Sequence, residues 1–302
     1  MATANFIATS LPAYVQENHD MLVKDVVFGA DSIKYFSVQS GIKKDAYINV
    51  MDIRPTLQDG AACGFTPAGD VEITQREIET GAIKVNLDIC PENLLGKYAE
   101  YTLSISAQGE PLPFEAYIVK GLIAQIAKKV ETLVWCGDTT SASSDLKWFN
   151  GITTIARNDA NTVKVALGAV TGAYNKILAV YNAIPEGVLL DGAKIFVSPA
   201  VFREFKQELV AKNLYHYDPQ NKEENEFLFP GSDVAVVRTQ GLAGKVSIVA
   251  AASKDIVYGC DIESAKEEVK VWFSEDADVY KVKVRFNAGV NYAFSDRIVI
   301  GE

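Results

Sequence analysis

Residues 113–138 read PFEAYIVKGLIAQIAKKVETLVWCGD, and this stretch sets the reading of everything around it. Ile118, Leu122, Ile126, Val130 and Leu133 recur at steps of three and four, which predicts a helix with one apolar face from about Phe114 to Trp135. Pro111 and Pro113 open it and Gly137 supplies the stop. Glu115 sits at the positive end of the helix dipole, with Lys128 and Lys129 towards the negative end. At 1.5 Å per residue such a helix is roughly 30 Å long.

Upstream, residues 46–54 (AYINVMDIR) read as a strand, and Pro55 to Asp70 is rich in turn formers. Val71, Ile73 and Ile78 then alternate with polar residues, as do Ile83, Val85, Leu87 and Ile89. This predicts a long hairpin over 43–90 with its tip near 57–70. Its outer half has too few apolar residues for a core of its own, so it should project and lie on something else. Residues 1–42 show weak periodicity and predict an extended arm with a short helix.

Downstream, helical spacing marks Val170 to Tyr181. Lys194 to Val197 is strand-like and runs into Ser198-Pro199, an N-cap followed by proline at the first helical position, with Phe202, Phe205 and Leu209 as that helix's buried face. Four further strand-like runs, at 234–237, 246–250, 269–273 and 282–286, lead to Ile298-Val299-Ile300. The whole is an α+β pattern.

The 302 residues, 48% of them hydrophobic and 23% charged, suffice for a substantial core. No apolar run approaches the length needed to span a bilayer, and the first residues lack a secretory signal pattern, so no membrane association and synthesis in a cytoplasm are expected. A net charge of −10 opposes sequence-specific nucleic-acid binding but suits the lining of a container from which DNA must slide freely.

Catalytic and metal-binding patterns are missing. His19 and His216 stand apart without an acid partner, and Cys63, Cys90, Cys136 and Cys260 form no CxxC pair. The segment Thr239 to Val246 departs from a phosphate loop at both ends, which favours a plain glycine turn. The acidic run from Glu263 to Asp278 lacks the spacing and central glycine of a calcium loop and reads as a solvated face. Asp138 to Ser144 is a small-residue turn with no base nearby. No enzyme activity, cofactor or metal is expected.

The order of elements resembles the Hong Kong 97-type major capsid fold of tailed phages, herpesviruses and encapsulin shells. The pieces are the arm, the hairpin at 43–90, and the long "spine" helix at 114–135. After it come Gly137-Asp138 and Gly151-Ile152, then the strand-into-helix step at Ser198-Pro199. The strand pair around Val236-Val237-Arg-Thr239 and Val246 to Val249 follows, and the closing run Phe286 to Ile300 completes the set. The resemblance implies a major capsid protein that self-assembles as pentamers and hexamers around the double-stranded DNA of a tailed bacteriophage, in the virion capsid and, during assembly, the host cytoplasm. An encapsulin-type nanocompartment shell is the alternative. It further implies a peripheral domain over 91–160, a mainly axial domain over 161–255 and a return to the peripheral domain over 256–302. Implied partners are a separate scaffolding protein, since little chain precedes the hairpin, together with a portal and a decoration protein. Some relatives weld subunits through a hairpin lysine. No lysine lies between Lys44 and Lys84, so non-covalent cohesion is expected.

The expected subunit contacts follow from the hairpin. Phe65, Ile73 and Ile78 should find cover only in the assembly. Across 59–80, Asp59, Asp70, Glu72, Glu77 and Glu79 face the single Arg76, an acidic strip whose expected counterparts on a neighbour are Lys128 and Lys129.

Overall fold

The computed structural model describes residues 11–42, 46–58, 67–90, 114–214, 225–261 and 269–302. Helices are α1 His19–Phe28, α2 Phe114–Cys136, α3 Ile152–Asn158, α4 Ala173–Asn182, α5 Glu186–Leu190 and α6 Pro199–Ala211. Strands are β1 Ser37–Ser40, β2 Ala46–Pro55, β3 Gly69–Ile78, β4 Gly81–Ile89, β5 Val163–Val165, β6 Ala193–Val197 and β7 Glu226–Leu228. They continue with β8 Ala235–Arg238, β9 Ile248–Ala252, β10 Ile256–Cys260, β11 Lys270–Ser274, β12 Val279–Tyr292 and β13 Val299–Gly301.

Three sheets result. One is a ribbon of β2 and β3. A second is built on β12, whose 14 residues serve several partners. Tyr280 to Lys283 pair with β11 on one edge and β4 on the other, and Ala288 pairs with both β10 and β4, so β10 and β11 share an edge. β1 adds to β10 in parallel. The alternation expected near residue 282 is present: Tyr280, Val282, Val284 and Phe286 are buried, while Lys281, Lys283 and Arg285 stand between them.

The third sheet, in the order β5-β13-β9-β6-β8-β7, is the wall between two hydrophobic cores. Its central strands are apolar on both faces, as a sheet covered on both sides must be. Ile195 and Val197 of β6 enter one core and Phe196 the other; β9 likewise sends Ile248 and Ala250 one way and Val249 and Ala251 the other. The first core lies under α2, with Phe196 5.0 Å from the ring of Trp135 and 5.7 Å from that of Tyr35. The second lies under α4 and α6. There Glu208 of α6 accepts hydrogen bonds from the first backbone N–H groups of α4, Ala173 at 2.8 Å and Tyr174 at 2.9 Å.

Two details explain sequence features. Ser198 caps α6 by accepting from Val201 N–H at 3.4 Å, with Pro199 beginning the helix. Gly137 and Gly151 lie against each other at the junction of α2 and α3: a Cβ on Gly151 would stand 2.6 Å from the Gly137 nitrogen, and one on Gly137 would stand 2.4 Å from the Phe149 carbonyl oxygen. Thr153 and Thr154 then donate to the carbonyls of Trp135 and Gly137 at 2.7 and 2.6 Å, the first an acceptor left over in the last turn of α2 and the second one that also receives the Gly151 N–H at 2.9 Å.

Two expectations need correction. The N-terminal segment is not an arm within its described residues. Residues 11–17 and α1 are helical and bury Leu11, Leu22, Val23, Val26 and Val27 in the first core. The buried positions follow helical steps, Leu11 and Val15 and then Leu22, Val23, Val26, Val27 and Ala30, so one apolar stripe faces the core. Likewise β4 is not the return leg of the hairpin; it belongs to the β12 sheet.

Because Phe196 sits in the wall strand and reaches the aromatic cluster, Phe196→Ala is expected to destabilise the protein by about 3–5 kcal/mol. Urea unfolding checks this.

Candidate subunit-contact surface

The β2–β3 ribbon runs in unbroken antiparallel register from Ala46↔Ile78 to Pro55↔Gly69. Facing residues share a side of the ribbon, and successive residues change side, so its two faces are chemically distinct.

The inner face is fastened to the chain's own body. Ile78 is fully buried and lies against Gly259, where an added Cβ would stand 3.3 Å from its Cγ2. Arg76 is the anchor. Its guanidinium donates to Asp159 Oδ2 at 2.8 Å, Asn291 Oδ1 at 3.0 Å and Ser295 Oγ at 2.5 Å, and lies 4.1 Å from the centre of the Tyr292 ring. Asn291 Nδ2 also donates to the Glu77 carbonyl at 2.6 Å. Burial alone would raise the Asp159 carboxyl, but hydrogen bonds from Arg76, the Asn161 backbone, Ser295 and Tyr292 outweigh it and hold the group well below the usual carboxylate range.

The outer face is apolar and uncovered. Tyr47, Met51, Val71 and Ile73 are 54%, 58%, 56% and 67% exposed, with Met51 directly opposite Ile73. Gln75 donates to Asn49 across the strands at 3.0 Å, and this polar pair stands between Tyr47 and the cluster of Met51, Ile73 and Val71. Leu57, past the end of β2, is almost wholly exposed. Leaving several large apolar side chains together in water costs free energy that covering them recovers, which is the usual mark of an interaction surface.

The expected contact residues therefore divide. Ile73 is exposed, as a contact must be. Ile78 is not a contact, because it fills a place in its own core, and Arg76 is committed to Asp159. Glu77 and Glu79 are exposed on the rim of a polar cleft shared with Asn158, Asp159 and Asn291. Phe65 lies outside the described residues; Glu72 lies in β3, opposite Asp52. Lys128 and Lys129 border one groove along α2 together with Asp145, Lys128 also borders a second beside Glu131, and Lys129 pairs with Asp145 at 3.0 Å, both exposed. Asp159, Asn291, Tyr292 and Ser295 went unnoticed in the sequence. They lie 83 to 219 positions from Arg76, with no local pattern to connect them.

Elsewhere the doubtful motifs resolve into structure. The glycine turn after Thr239 is a 3-10 turn, Gln240–Leu242, tucked against α2. Among the described residues no three His, Cys, Asp or Glu side chains gather to hold a metal, and no helix is long and apolar enough to cross a membrane. His216, Cys63 and residues 263–268 of the acidic run lie outside the described residues.

No family model matches the chain, and no curated protein does. Solved structures do. A chain of the satellite phage P4 procapsid including size determination (Sid) protein superposes with a TM-score of 0.63 at 12% identity, over 93% of this chain and 89% of that one. The capsid of an empty GTA particle gives 0.56 at 11%, over 90% and 89%. The virus-like particle from Pyrococcus furiosus gives 0.53 at 11%, over 93% and 96%. The fold is the Hong Kong 97-type capsid fold.

Two outcomes test the division of the ribbon. Ile78→Ala should cost about 2–5 kcal/mol of stability in urea unfolding, whereas Ile73→Ala in the unassembled chain should stay within about 0.5 kcal/mol. Asp159, with its lowered folded pKa, adds stability that is present above the unfolded value of 3.8 and is lost as pH falls through the folded one. In Asp159→Asn, the stability lost between pH 7 and pH 2 should accordingly be smaller than in the wild type.

Proposed function

We propose that this chain, carrying the Hong Kong 97-type fold, is the major capsid protein of a tailed double-stranded-DNA bacteriophage, with a structural and not a catalytic role. It assembles as pentamers and hexamers into an icosahedral shell, within the host cytoplasm, and remains there as the virion capsid. The observation that carries this is the ribbon's uncovered apolar face beside an inner face fixed to the body: a rigid mount for a surface that a second copy can cover. Covering what remains exposed of Met51, Val71 and Ile73, over half of each, would contribute ~1–2 kcal/mol each. Repeated over the many copies of a shell, such contacts sum to a large cohesion without covalent welding.

In this reading the acidic strip with Glu72, Glu77 and Glu79 docks near Lys128 and Lys129 of the neighbour. The second core, under α4 and α6, belongs to the axial domain over 161–255. α2 and the β12 sheet, which carry much of the first core, belong to the peripheral domain over 91–160 and 256–302. Partners are other copies of the chain, a scaffolding protein and a portal, and the enclosed DNA is held without sequence readout. A net charge of −10 supports that last point. The likeness to the Pyrococcus furiosus particle supports a second reading, an encapsulin-type nanocompartment.

Electron microscopy and sedimentation of the expressed chain, with a scaffolding partner supplied, test the proposal. Hollow particles are expected for the wild type. Met51→Asp with Ile73→Asp, and separately Glu72→Lys with Glu77→Lys and Glu79→Lys, should leave folded, unassembled subunits of unchanged circular dichroism. Normal shells from the first variant would overturn the ribbon's role, and normal shells from the second the acidic strip's. A wild type that stays a small compact monomer sinks the shell reading. DNA inside particles from infected cells supports the phage assignment, and a protein cargo the nanocompartment.

A further inference from the structure

The fold hides a carboxyl group at a junction of three elements. Glu131 of α2 is 2% exposed. Its Oε2 accepts from Ser32 N–H at 3.1 Å, and its Oε1 from the Ser32 hydroxyl and from Trp135 Nε1 at 3.1 Å; Trp135 Nε1 also reaches Ser32 Oγ at 2.8 Å. Ser32 and Trp135 are themselves fully buried. Ser32 belongs to the 3-10 turn Asp31–Tyr35, which links α1 to β1. The Gln240–Leu242 turn closes the other side, with Gly241 so tight that a Cβ would lie 2.3 Å from Trp135 Cδ1 and 2.4 Å from the Glu131 carbonyl oxygen.

The charges around this carboxyl do not welcome an anion. From the 3-10 turn comes Asp31, which repels it; Lys34 of the same turn lies over the Tyr35 ring, 4.7 Å from its centre. Lys128, on α2 itself, borders the neighbouring groove with Asp31 and Glu131. The Gln240–Leu242 turn contains no ionisable side chain. Among the described residues no cation forms an ion pair with Glu131. Burial, with the Asp31 charge added, outweighs the hydrogen bonds and raises this carboxyl above its ordinary value.

The neutral acid is held once the Ser32 hydroxyl turns its hydrogen away from Oε1. A proton on Oε1 can be donated to Ser32 Oγ, which also accepts from Trp135, while Oε2 still accepts the Ser32 N–H.

We propose that Glu131 is a proton-operated latch: neutral, it clamps the 31–35 turn, and with it α1, onto the long helix; ionised, it lets that N-terminal segment loosen while the rest of the fold stays intact. Since the folded carboxyl titrates above the unfolded one, the clamp is complete below the unfolded value and is lost as pH rises through the folded value. Asp159 acts with the opposite sign, on the acid side, so the two are separable.

Hydrogen exchange of the full chain, corrected for the intrinsic rate at each pH between 5 and 9, tests this over residues 19–36. Wild-type protection should fall as pH rises, by roughly tenfold for each unit of displacement of the carboxyl. Glu131→Gln, whose amide can donate to Ser32 Oγ and whose oxygen can accept from Ser32 N–H, should hold its protection at every pH. Asp31→Asn, an exposed change, should end the fall at a lower pH and make it shallower. Protection that does not vary with pH in the wild type overturns the proposal, as does an equal fall in Glu131→Gln. Should the glutamine variant not fold, an unaltered profile in Asp31→Asn overturns it.

Discussion

The structure depends on a sheet that must satisfy two cores at once. In β6 and β9, neighbouring residues a single peptide apart serve opposite cores, so neither strand has a face to spare for water. A polar substitution anywhere along Ile195 to Val197 or Ile248 to Ala252 would leave an unpaired group in one core or the other. The same constraint joins the two halves of the molecule: α4 and α6 cannot part from α2 without exposing the wall between them.

From that wall outward, order is progressively less self-sufficient. The first core recruits α1 and the helical residues 11–17 to finish its cover, and the β12 sheet recruits β4 and β1 from far upstream. The ribbon lies at the far end of this series. It has two strands and one fastened face, and its other face leaves Tyr47, Met51, Val71 and Ile73 uncovered. A two-stranded ribbon is marginal in water by itself, so its persistence here rests on Ile78 and the Arg76 network.

Much of this was legible in the sequence where one element carried its own signal. The three-and-four spacing of α2, the Ser198-Pro199 cap and the alternation of Tyr280 to Phe286 all follow from local geometry and appeared in place. What escaped was tertiary. The N-terminal helices bury Leu11, Val15, Leu22, Val23, Val26 and Val27 at helical steps, but the stripe is short and is broken at Asn18, so it reads weakly beside that of α2. Ile78 looked like another member of an exposed strip because its partner, Gly259, is 181 positions away. Asp159 was unremarkable as text, since an acid between Asn158 and Ala160 gains meaning only when Arg76 arrives from another sheet.

The anchored ribbon has one more consequence. Strand side chains alternate with a period of two, so a slip of β2 against β3 by a single residue would turn Met51 and Tyr47 inward and spoil the patch. The guanidinium of Arg76 meets Asp159, Asn291 and Ser295 at one placement of β3, while the Ile42 N–H bond to the Cys260 carbonyl at 3.2 Å steadies the chain just before β2. These two fixings act like the index pins of a lathe: they set the phase of both strands, so Tyr47, Met51, Val71 and Ile73 always stand on the same side.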